Sequence, residues 1–275
     1  NFGFTATYDA QGNLYSGGIA LAPTPFNPRS NGSYPVTAGA YDVSFNGGSF
    51  SGVEGNNSPC DIAISKYSSD GTQLIYATYI GGMDNEYPHS LIVDSEDNLV
   101  LFGTTTSVDY PTTLNAYNRK FNLSGDTIAE FSDIIISKFN TDGSRLLGST
   151  FFGGSKDDGL NKGYNATRDF YSDEFRGEVN IDTNNQIYIA SCTYSIDAPN
   201  PSSILREATS GLDGLVFSLN PDLSELRWAN YISGESSDVL FSIDFSRDYS
   251  SIYATGATNS VGLPGANGGH ASSIQ

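Results

Sequence analysis

Short apolar runs rich in Ile, Val, Leu, Tyr, Phe and Thr alternate with clusters of Asp, Asn, Gly and Ser along almost the whole chain. Runs of that length, bounded by turn formers, predict β-strands rather than helices. No segment sustains a 3.6-residue apolar period, and only 204–208 reads as a single helical turn. Ile62 and Ile64, and the run Ile134-Ile135-Ile136, make strands apolar on both sides, as in sheets packed on both faces. Asp70-Gly71 and Asp142-Gly143 supply the positive φ that a tight hairpin turn needs.

The strands recur in order. Asp61-Ile-Ala-Ile-Ser-Lys-Tyr-Ser-Ser-Asp70-Gly71 aligns with Asp133-Ile-Ile-Ile-Ser-Lys-Phe-Asn-Thr-Asp142-Gly143 and with Asp213-Gly-Leu-Val-Phe-Ser-Leu-Asn-Pro-Asp222. Each continues into a second apolar segment, and the first two close on Gly81-Gly82 and Gly153-Gly154. A second hairpin alternates with the first: an apolar strand, a polar turn beginning at Asp9, Asp94, Asp182 or Asp244, and another apolar strand. An Asp repeated at one turn position reads as an Asx turn. Two hairpins make four strands per repeat, so the expected fold is all-β: a β-propeller of four-stranded antiparallel blades. The Asp94-type hairpin would be the inner pair of a blade and the Asp133-type hairpin the outer pair. The expected repeats are 4–89, 90–176 and 177–240, with an incomplete one over 241–275. About three and a half blades predict one partial propeller over 1–275, cut from something longer or completed by a partner.

Composition narrows the function. The 275 residues carry 31 acidic and 13 basic side chains, a net charge of −18, a field that repels nucleic acids and anionic membranes. No apolar run is long enough to span a bilayer. Hydrophobic residues at 38%, with 17 Tyr and 16 Phe, still allow a core, so this is no disordered acidic chain. Two cysteines, Cys60 and Cys192, are too few for a disulfide framework; unpaired buried thiols are the plainer reading, and one bridge remains open.

Little in the sequence reads as catalytic. His89 and His270 are the only histidines, no nucleophile elbow accompanies them, and neither a metal-spaced histidine pair nor a phosphate loop occurs. Asp84 and Glu86 follow the first glycine pair and Asp157 and Asp158 the second, making these four the calcium candidates; no other cofactor is expected. Their alternative role is to cap strand ends and turns. Paired acids also serve glycoside hydrolysis, but repetition in every blade argues against a catalytic pair, which is needed once. Trp228 reads as core rather than as a sugar platform. Tyr34, Tyr164 and Tyr171 lie in insertions, where they either pin their own loops or stack on sugars.

The string Asp-Ile-x-Ile-Ser-Lys-[Tyr/Phe]-x-x-Asp-Gly, closing on Thr-[Tyr/Phe]-[Ile/Phe]-Gly-Gly, resembles the SBBP β-propeller repeat. So do Tyr34-Pro-Val-Thr37-Ala38-Gly39-Ala40-Tyr41 and Asp109-Tyr-Pro-Thr-Thr113-Leu-Asn-Ala116-Tyr117. The third copy departs, with Asp197-Ala-Pro199 lacking that continuation and Ser233-Gly234 replacing the glycine pair. The resemblance implies a repeat of large secreted or surface-anchored proteins of Bacteroidota, of the kind associated with type IX secretion and gliding motility, and brings no common catalytic residue. Asp126-Thr127-Ile128 resembles a bacteroidal O-glycosylation triplet.

The expected function is therefore a non-enzymatic extracellular module of a cell-surface or secreted protein. It would act as an adhesion or interaction platform through the insertions at 22–35, 42–60, 118–132, 159–176 and 199–212. The expected partners are other domains of the same longer protein, surface proteins or glycans, and by resemblance the type IX machinery. The alternatives are a propeller glycan hydrolase or lyase and a calcium-dependent lectin.

Overall fold

The computed structural model describes residues 2–22, 34–48, 59–122, 131–162, 174–199, 211–261 and 263. Within them every regular element is a strand. β1 (Phe2–Tyr8), β2 (Leu14–Leu21), β3 (Cys60–Tyr67) and β4 (Leu74–Ile80) form a sheet in chain order. So do β5 (Glu86–Val93), β6 (Leu99–Thr105), β7 (Asp133–Phe139) and β8 (Leu146–Phe152). β9 (Glu178–Ile181), β10 (Ile187–Thr193), β11 (Asp213–Leu219) and β12 (Leu226–Ile232) make the third such sheet. β13 (Asp238–Phe245) and β14 (Ile252–Thr258) form a two-stranded one. The fold is all-β, with repeated blade-like antiparallel meanders. β5 and β13 begin at Glu86 and Asp238, ahead of the repeat starts read at 90 and 241. The helical turn read at 204–208 lies outside the described residues.

The chain divides into two compact units, Asn1–Phe121 with Ile135–Phe151, and Asn122–Ile134 with Phe152–Gln275. In the first unit Tyr15, Ile62, Ile64, Leu99, Leu101, Ile135 and Phe139 share one buried cluster. In the second, Phe152 stacks on Phe217 with ring centroids 3.8 Å apart, and Tyr188, Val216, Leu240 and Ile243 form a core. β7 is buried along its whole length, as its doubly apolar run predicts, and so is β11.

Each four-stranded meander has two ends. Tight turns close strands one to two and three to four at one end, and the long strand-two-to-three connection leaves from the other. At the tight end Asp9, Asp94 and Asp182 act as Asx turns. Each carboxylate accepts two backbone N–H groups: from Gln11 and Asn13, from Glu96 and Asn98, and from Asn184 and Gln186. The positive φ falls on Gly12, Asp97 and Asn185.

Asp244 does not belong to this set. It lies inside β13 opposite Tyr253, exposed, and the turn position is taken by Ser246, whose N–H donates to the Ser251 carbonyl. The alternation Ile243-Asp244-Phe245 is a strand with one wet face, which sequence alone reads equally well as a strand ending at Asp.

Candidate functional site

Buried charged side chains stand at both ends of the sheets. At the tight end, Lys66 Nζ lies 3.0 Å from Asp9 Oδ2, and Lys138 Nζ lies 2.6 Å from Asp94 Oδ2, all four side chains being buried. Burial alone would raise the Asp94 carboxyl, but the Lys138 ammonium and the Asn98 N–H groups outweigh it and hold it below the usual range. In the third sheet Ser218 stands at the lysine position, and the Arg227 guanidinium donates to Ser218 Oγ and to the Tyr188 hydroxyl. The recurrent aspartates are thus spoken for by turns and cations.

The other end carries the acids that follow the glycine pairs. Glu86 is fully buried and accepts from the Thr105 and Ser107 hydroxyls and from the Gly82 N–H. Asp158 repeats this with Thr193, Ser195 and the Gly154 N–H, and Asp238 repeats it with Thr258, Ser260 and the Gly234 N–H. The second glycine is required by crowding, since a Cβ on Gly82 or Gly154 would lie 2.5 Å from the Cβ of Ser107 or Ser195. A further acid closes each of the first two corners. Asp61 accepts the Asn46 N–H at 2.6 Å, and Asp133 accepts the Asn122 N–H at 2.9 Å.

The four calcium candidates do not share one environment. Glu86 and Asp158 are buried in these hydroxyl networks, whereas Asp84 is half-buried, its own N–H donating to Ser107 Oγ. Asp157 accepts the Ser132 N–H and pairs with Lys162 at 2.6 Å. Among the described residues no three His, Cys, Asp or Glu side chains converge as a metal site. The partners that sequence reading missed, Asp61, Asp133 and Asp238, come with a visible signal. It is the recurrent Thr-x-Ser at Thr105, Thr193 and Thr258, the four-residue spacing from the second glycine to the acid, and the aspartate at the start of each third strand.

His89 is buried, its Nε2 3.1 Å from Thr104 Oγ1 and its ring edge-on to Phe102. Burial pushes its pKa down to about 3, so the ring is neutral. His270, Tyr164, Tyr171 and Asp126-Thr127-Ile128 lie outside the described residues. Cys60 and Cys192 are free and buried, and burial pushes the Cys60 thiol up to about 12 and Cys192 further in the same direction. Tyr34 is engaged by the first sheet, bonding Ser65 through its hydroxyl and packing against Tyr79 at 5.6 Å. Trp228 is partly buried and packs against Tyr188.

No protein-family model matches the chain, and no curated protein is similar to it.

Proposed function

We propose that the chain is a run of SBBP-type propeller blades acting as a non-enzymatic adhesion or interaction module of a large secreted or cell-surface bacterial protein. The observation that carries this reading is repetition at buried positions. The same acid, glycine and Thr-x-Ser set recurs at three corners, and the buried carboxylates at their centres are inaccessible to a substrate. The lysine–aspartate pairs at the opposite end recur as well. A reaction needs one asymmetric, accessible constellation; a scaffold needs the same joint many times. Binding then falls to the long connections that leave each sheet at its corner end.

In this proposal β13 and β14 are the inner pair of a fourth blade. β14 is exposed over Ile252–Gly256, whereas β6 and β10, at the same position in their sheets, are buried throughout. Two further strands laid on β14 would give it the surroundings of β6. The extracellular setting, glycan or surface-protein partners and the type IX route belong to the same proposal and rest on the resemblance.

Shortening the connections within 49–58 and 123–130 tests the module. Those limits spare Asn46 and Asn122, which cap Asp61 and Asp133. Binding to a panel of surface glycans and proteins should be lost while the melting temperature holds. Binding that survives every shortened loop overturns the proposal, as does turnover of any polysaccharide that disappears in Asp94→Ala or Asp182→Ala without unfolding.

A further inference from the structure

Glycine stands first in two of the three corner pairs, and what surrounds it is unusual. A Cβ on Gly81 would lie 2.5 Å from Glu86 Oε2 and 2.9 Å from Asp61 Oδ1. On Gly153 it would lie 2.6 Å from Asp158 Oδ2 and 2.7 Å from Asp133 Oδ1. Two buried carboxylates therefore flank each glycine Cα. In both, one oxygen is left over: Asp61 Oδ1 and Asp133 Oδ1 are buried and accept no hydrogen bond. Their sister oxygens take the Asn46 and Asn122 N–H groups, and Glu86 and Asp158 are held by hydroxyls and glycine N–H groups.

We propose that Asp61 with Glu86, and Asp133 with Asp158, each hold one proton in common, as a carboxylic acid–carboxylate pair that ties the third strand of the sheet to its glycine corner. The proton sits on the orphan oxygen of the aspartate and is donated toward its partner carboxylate. This is independent of what the module binds.

A calcium ion is the competing occupant, and oxygen count decides against it. Calcium takes six to eight oxygens; each gap offers the orphan aspartate oxygen and an acid whose oxygens are already engaged. A proton needs two oxygens only. At the third corner buried Ser233 stands at the Gly81 position, ahead of Asp238.

The charged groups acting on the pairs oppose a second negative charge. Asp42 acts on Asp61, and Asp157 acts on both Asp133 and Asp158, while Asp109 accepts the Met83 N–H beside the first corner. Lys162 is engaged by Asp157. The other titratable neighbours, Cys60, Cys192, Tyr79, Tyr110 and Tyr231, are thiols and phenols raised by burial and so are neutral. Burial accordingly pushes Asp61 and Asp158 up to about 7 and Asp133 to about 8, and Glu86 well above its usual range.

The sign follows from the raised values. Between the unfolded carboxyl range of about 4 and the folded values, the native state binds more protons than the unfolded one. The stabilisation is complete below the unfolded range and is lost as pH rises through about 7 to 8.

Melting of the full chain at about pH 5 and pH 8 tests this, with Asp61→Asn and Asp133→Asn supplying a permanent neutral donor and Asp84→Asn as the charge-only control. Both pair variants should melt higher than wild type at the upper pH and lose that advantage at the lower one. The difference in unfolding constant should change by up to about tenfold per pH unit per pair. A pH slope equal to wild type overturns the proposal, as does an equal gain from Asp84→Asn. Calcium raising the wild-type melting temperature at pH 8 would replace the proton with a cation. If neither variant folds, the wild-type infrared spectrum near neutral pH decides: protonated carboxyl bands support the pairs, and their absence overturns them.

Discussion

Replacing Lys138 with methionine removes the ammonium from a pair that is almost wholly out of water. The two side chains are 8% and 1% exposed, and Nζ lies 2.6 Å from Asp94 Oδ2. Methionine keeps most of the aliphatic stem, so packing changes little and the effect is mainly electrostatic. Breaking a buried pair by deleting one partner costs about 3–5 kcal/mol, because the other charge is left uncompensated. Asp94 retains N–H donors from Glu96 and Asn98 and the Asn98 amide, which places the expected cost near the lower limit, about 3 kcal/mol. For a chain of this size that corresponds to roughly 6–12 °C in melting temperature. The assay is chemical denaturation at neutral pH, following the unit that contains both residues. Asp94 has a lowered folded pKa, so its stabilising contribution is present above the unfolded carboxyl range and fades as pH falls through the folded value. The penalty of Lys138→Met must therefore shrink under acid, where a protonated Asp94 needs no counter-ion. Adding Asp94→Asn to the variant should recover most of the loss. A cost below about 1 kcal/mol, the range of a solvated pair, or a cost that persists unchanged in acid, would refute the reasoning.

Two further outcomes follow from the buried side chains. Phe152→Ala should cost about 3–5 kcal/mol, because Phe152 and Phe217 are both fully buried and stacked 3.8 Å apart; Phe152→Leu should cost clearly less in the same denaturation assay. Cys60 and Cys192 should resist a thiol reagent in the native protein near neutral pH and both react after denaturation, since burial raises their pKa and blocks access; fast labelling of either native thiol would contradict their placement.

The strands and their order were legible in the chain because strand formation here is a local matter. Asp-Gly turns, short apolar runs bounded by turn formers and doubly apolar runs such as Ile134-Ile135-Ile136 need no distant partner to be read. The Asx turns at Asp9, Asp94 and Asp182 were legible for the same reason: the carboxylate bonds N–H groups two and four residues along. Asp244 was misread where two local patterns competed, and only its pairing with Tyr253 decided between a strand and a turn.

The corners were legible only in half. Sequence proximity grouped Asp84 with Glu86 and Asp157 with Asp158, yet folding gives the members of each pair different surroundings. It sets Glu86 and Asp158 beside Asp61 and Asp133, which are 25 residues away in each case (86 − 61 and 158 − 133). The recurrence of aspartate, glycine pair, acid and Thr-x-Ser was written in the chain, but recurrence does not say which members meet. That is settled by antiparallel pairing, which returns the start of a third strand to the end of the fourth, and by glycine, whose missing side chain lets two carboxylates approach one Cα. Local backbone preference needs only neighbours in sequence; burial, and with it the charge state of an acid, depends on what the rest of the fold lays over it.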